Sequence, residues 1–150
     1  GMMLLRRAPN NKKGFSLIEM MIAMVIIMIS MLAMLTAIIN SMRVNLENDL
    51  RNTAIRLTNQ TAEALLATSF EDTELNASTP HTRTAGNTEQ DKKGFPNPSQ
   101  TVRNYRQLYT IAWSVVDKTG NVKEVEITVT YRHKDKDYKN VAPIFKHKAI

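Results

Sequence analysis

The chain has 150 residues, enough for one domain of ordinary size, with 43% apolar residues and a formal charge of +6. It has no cysteine, which excludes a disulfide framework and any thiolate metal site. Residues 1–14 carry Arg6, Arg7, Lys12 and Lys13 and no acid, so the remaining chain is only +2, too weakly basic to point to nucleic acid by charge alone.

In chain order, Gly1 ahead of Met2 and Met3 reads as the remnant of a cleaved tag. Residues 2–14 form a polar, cationic lead-in punctuated by Pro9 and Gly14, and no stable structure is expected there. Residues 15–39 then contain a single charge, Glu19, and residues 20–39 contain none. About 20 apolar residues cross the hydrocarbon core of a bilayer as a helix. A secretory signal has a shorter apolar region and a small-residue cleavage site after it, which fits poorly here. The methionines of this run read as soft apolar filler rather than metal ligands.

Three features at the start of the run have chemical meaning. Lys12 and Lys13 hold the N-terminus on the cytoplasmic side. Gly14, lacking a side chain, lets a peptidase approach the extended backbone closely. Glu19 is the anomaly, since a carboxylate inside a membrane segment costs ~2.5–3.5 kcal/mol on insertion scales and calls for a cationic partner. A new α-amino group at Phe15 would supply one.

No proline or glycine separates the apolar run from the amphipathic stretch that follows. In residues 40–70, Met42, Leu46, Leu50, Ala54, Leu57, Thr61 and Leu65 recur at helical spacing, predicting one face turned to a partner. One helix is therefore expected over residues 15–70, roughly 80 Å long at ~1.5 Å per residue. Residues 71–101, rich in Thr, Asn, Ser and Pro, are expected to be a surface loop with short pieces of order. Residues 109–115 and 125–131 alternate with period two around a turn at residues 117–121, which predicts a hairpin. A second turn at residues 133–137 leads to a weaker strand near 138–145, which Pro143 confines to an edge.

The sequence Lys12-Lys13-Gly14-Phe15-Ser16-Leu17-Ile18-Glu19, opening a long apolar helix, resembles the processing signature of the type IV pilin and pseudopilin superfamily. The resemblance implies an α+β pilin fold: a long N-terminal helical spine, membrane-spanning in its first half, against a small C-terminal antiparallel sheet. It implies a leader at residues 1–14, an assembly helix at 15–39 and a periplasmic or extracellular domain at 40–150. It implies cleavage between Gly14 and Phe15 by a prepilin peptidase, N-methylation of Phe15, and pairing of Glu19, the fifth mature residue, with a neighbouring subunit's N-terminus. The implied partners are other pilin subunits, the peptidase and an inner-membrane assembly platform. The implied location is the inner membrane, then a pilus at the cell surface or a periplasmic pseudopilus.

Within the superfamily the chain looks most like minor pilins of the pilus-modification (PilV-type) class, on its apolar first helix and its two late strands. It lacks the helix-kinking proline and the C-terminal disulfide of many major pilins. The expected function is that of a structural subunit, not an enzyme, with no cofactor and no metal. A type II secretion pseudopilin is the alternative. A DNA-binding competence pilin is a further one, for which Arg83, Lys92, Lys93, Arg103 and Arg106 would have to form a phosphate-binding patch. Nucleic acid is not an expected partner. Asp135, Asp137, Glu124 and Glu126 match no calcium loop, and Asn76-Ala77-Ser78 fits a glycosylation sequon of a kind common by chance. His81, His133 and His147 show no ligand spacing, and none is given a role.

Overall fold

The computed structural model describes residues 16–149, so Gly14 and Phe15 lie outside the described residues. Helix α1 runs over Leu17–Ala67. A one-turn 3₁₀ helix, Thr73–Leu75, follows, then β1 (His81–Thr82), α2 (Thr88–Lys92), β2 (Ser99–Val102), β3 (Tyr105–Thr119), β4 (Val122–His133) and β5 (Lys136–His147). The chain divides between Val44 and Asn45 into two compact units.

The second unit is the expected α+β arrangement, with the latter part of α1 packed against a small antiparallel sheet. The sheet order is β1-β3-β4-β5, and β2 pairs separately with β3. Every pairing is antiparallel. Leu50, Ala54, Leu57, Ala64 and Leu65 of α1 are buried together with Tyr109, Ile111, Trp113 and Val115 of β3 and Val125, Ile127, Val129 and Tyr131 of β4. These are the residues that the helical and period-two patterns assign to the inner faces. Thr58 and Thr61 are also buried there, and each hydroxyl donates at 2.8 Å to the carbonyl four residues back, so the helix satisfies them itself. β5 lies at the sheet edge, where Pro143, opposite Glu126, removes no interior ladder bond.

Three local outcomes differ from the sequence reading. Helix α1 stops at Ala67, three residues short of residue 70. There the Thr68 N–H bonds Leu65 O at 3.3 Å in a tighter turn, and its hydroxyl returns to Ala64 O at 2.6 Å. The hairpin turns are tighter than expected: β3 and β4 extend until only Gly120 and Asn121 separate them, with a bulge between Asp117 and Thr119. The turns at Arg103-Asn104 and Lys134-Asp135 each hold both residues at positive φ, the twist that matches two-residue hairpins.

The third difference is the segment after the helix, which is more than a surface loop. Leu75, Arg83, Gln90 and Phe95 are buried within it. Helix α2 ends in a left-handed cap: Gly94 at φ 86° lets its own N–H reach Asp91 O and the Phe95 N–H reach Gln90 O, both at 3.1 Å. That places Phe95 against Trp113, centroids 4.9 Å apart and nearly parallel. The Trp113 indole N–H donates to Glu74 O at 2.8 Å. Lys123 donates to the Phe70 and Leu75 carbonyls at 2.8 and 2.9 Å, fastening the 3₁₀ turn to the sheet.

Candidate functional site

The first unit begins with a reciprocal cap. The Ser16 backbone N–H donates to Glu19 Oε2, and the Glu19 N–H donates to Ser16 Oγ, both at 3.2 Å. A helix start leaves its first N–H groups without intrahelical partners, and in hydrocarbon each such group is costly. Ser-x-x-Glu answers part of that need from within the chain. Glu19 thus has a place at the start of the helix that reading it only as a lone membrane charge overlooks. The Ser16 to Glu19 spacing was the available signal for it.

From Leu17 to Ile39 every large apolar side chain is exposed, between 47 and 79%. The two hydroxyls on this stretch are answered internally, Ser30 to Ile26 O at 2.8 Å and Thr36 to Leu32 O at 3.0 Å. The helix is long and apolar enough to cross a membrane, so it is compatible with a membrane anchor. Uniform exposure with no polar face suits lipid or other apolar helices, because a helix covered by its own domain would keep only one stripe apolar. Among the described residues Glu19 is the one ionisable group on this surface between Ser16 and Met42.

The cations considered for phosphate binding are largely taken up by acids. Arg83 is 4% exposed, pairs with Asp91 and donates to the carbonyls of Pro96 at 3.0 Å and Thr84 at 2.8 Å. Lys92 meets Glu89 at 3.1 Å, Lys93 meets Asp72 at 2.7 Å, and Arg103 meets Asp49. Arg106 donates to Ser99 Oγ at 2.9 Å. Four of these five charges thus have a carboxylate beside them, and Arg83 serves as a buried post for its own loop. Asp135 and Asp137 sit at the β4–β5 turn, where Asp137 pairs with Arg132 at 3.0 Å. Among the described residues no group of acids and histidines is arranged to hold a metal ion.

Burial, the first influence on Asp72, raises its carboxyl. The Glu74 N–H, the Lys93 ammonium and the Thr73 hydroxyl outweigh it, so the group lies below its ordinary 3.8. Tyr109 is pushed up to about 12, chiefly by burial. Both groups help to hold the second unit together.

No curated protein and no solved structure matches the chain. Residues 9–35 match the family model of the prokaryotic N-terminal methylation motif, a span that takes in Gly14, Phe15, Glu19 and most of the exposed apolar helix. This match supports the resemblance to type IV pilins and pseudopilins on the residues that first suggested it.

Proposed function

We propose that the chain is a structural subunit of a type IV pilus, a minor pilin that joins, initiates or modifies the filament. In this reading prepilin peptidase cuts after Gly14, and Phe15 becomes the methylated N-terminus. Residues 15–39 anchor the subunit in the inner membrane and then pack beside other subunits' helices on an assembly platform. The carrying observation is the methylation motif at residues 9–35 running into an exposed apolar helix whose one charge is Glu19. Such a surface needs a lipid or helical partner along its whole circumference, and a filament core provides that after extraction from the bilayer. The carboxylates beside the loop cations weigh against a phosphate-binding role.

In the assembled filament, Glu19 meets the α-amino group of a neighbouring subunit. Its Oε1 has no partner among the described residues, while Oε2 serves the Ser16 cap. Breaking a buried ion pair by removing one partner typically costs ~3–5 kcal/mol. Each assembly step is then disfavoured on the order of 100-fold or more, since ~1.4 kcal/mol is tenfold. The test compares wild type and Glu19→Leu by immunoblotting of membrane and sheared-filament fractions. The variant is expected to be inserted and cleaved but absent from sheared filaments; equal incorporation would overturn the role of Glu19. Wild-type protein confined to the envelope while the cell's pili are shed assigns the chain to a type II secretion pseudopilus instead. Mass spectrometry gives the N-terminus: Phe15 in wild type, and uncut leader in Gly14→Val.

A further inference from the structure

In the second unit, the first turns of its helical segment, the end of β4 and the start of β5 line a cavity of about 330 Å³ that is half open to solvent. That volume lies at the small end of ligand sites, which run from about 300 Å³ upward. His133, the last residue of β4, lines it and is 6% exposed. Neither ring nitrogen has a hydrogen-bond partner among the described residues. Buried polar groups are overwhelmingly paired, so an imidazole with both nitrogens unanswered calls for a physical reason. Tyr105 meets the His133 ring edge-on, centroids 6.2 Å apart, and supplies no hydrogen bond.

The charges around the cavity are likewise unspent. Among the described residues, Arg51 and Lys139 line it without an acid within ion-pair distance, although Glu47, one helical turn before Arg51, lines it too. Two cations and one acid, Arg51, Lys139 and Glu47, sum to +1 on the lining. Tyr131 and Tyr138 form one wall, their rings 5.2 Å apart and 15° from parallel. The site thus combines a modest positive charge, several proton donors and a flat aromatic wall.

We propose that this cavity binds a small monocarboxylate with an aromatic or otherwise flat apolar body. The Arg51 fork takes the carboxylate, as guanidinium does best, with Lys139 as a second charge. The ring of the ligand lies along the tyrosine wall, with the buried His133 ring beside it as a reporter. The net lining charge favours a monoanion over a dianion, because Glu47 repels a second negative charge. This assignment is independent of the filament role.

The experiment uses the full chain in non-ionic detergent micelles with labelled histidine, and benzoate as the probe. The imidazole resonances of His133 should shift saturably on titration. Arg51→Gln, a change at an exposed helix position, should weaken binding about tenfold, the usual worth of a charge-assisted hydrogen bond. Arg106→Gln, whose side chain bonds Ser99 elsewhere, should bind as wild type does. Trp113 fluorescence verifies that each variant is folded. Absence of a saturable shift, equal affinity in Arg51→Gln, or inorganic phosphate displacing benzoate equally well at matched ionic strength would each overturn the proposal.

Discussion

Helix α1 passes through two different chemical situations. Up to Ile39 its large apolar side chains are all exposed, whereas in the second unit Leu50, Leu57 and Leu65 are 0% exposed against the sheet. The first stretch is apolar all round and the second only on one face. Hydrophobic burial scales with the area removed from water, at roughly 25 cal/mol per Å². For the second stretch that area is removed within the chain. For the first it remains exposed among the described residues, and in the proposed reading lipid or other subunits remove it. The same kind of side chain therefore supports folding in one stretch and, in the proposed reading, association in the other.

The sharpest way to break this comparison is to truncate one leucine or isoleucine in each stretch. Leu57→Ala should destabilise the second unit by ~2–5 kcal/mol, the range for a fully buried large-to-small change. Ile27→Ala, at a position 53% exposed, should leave that unfolding transition unchanged. Trp113, the single tryptophan and 2% exposed, reports both by fluorescence in denaturant. Comparable losses from the two substitutions would mean that the apolar stretch contributes to the folded domain after all.

A smaller effect is expected where polar groups hold the second unit. Asp91→Asn should cost about 1 kcal/mol, since the Asp91 carboxylate is half-exposed and screened by water. Arg83 also keeps the carbonyls of Pro96 and Thr84. Arg83→Met should cost more, because Asp91 and those carbonyls lose a common donor. The reverse order in thermal melts would show that Arg83 is dispensable to its loop.

The smallest effect concerns pH. The Asp72 carboxyl is lowered in the folded protein, so its stabilising contribution is complete above the ordinary carboxylate range and is lost as pH falls through the folded value. Asp72→Asn should flatten the acid limb of stability against pH. An acid limb identical in the two proteins would remove Asp72 from the account.

The inner faces were readable in the sequence because one-dimensional periodicity maps directly onto them. Leu50, Ala54, Leu57 and Leu65 on the helix and Tyr109, Ile111, Trp113 and Val115 on β3 were all assigned correctly. Met42 belonged to the same predicted stripe yet is 64% exposed, because periodicity gives a face but not how far along the helix a partner reaches. The β2–β3 hairpin was missed. Its turn residues, Arg103 and Asn104, carry no glycine, and the left-handed backbone there is imposed by the pairing of the strands they join. The order in residues 71–101 was hidden for a related reason. Arg83 and Gln90 look like surface residues until Asp91 and the Pro96 and Thr82 carbonyls are brought around them.

The sequence by itself determined the apolar helix, its one carboxylate at Glu19, the motif at residues 9–35 and the alternation of the long strands. These are local properties: which side chains occur, at what spacing, next to what. Only the tertiary structure decided that most of the loop cations are answered by acids and that His133 is buried with neither nitrogen paired among the described residues. Several of these contacts join groups tens of residues apart, such as Asp49 with Arg103 or Asn140 with Thr58. No local pattern encodes a partner at that distance. It is set by the register of the sheet and by which turn of the helix the sheet meets.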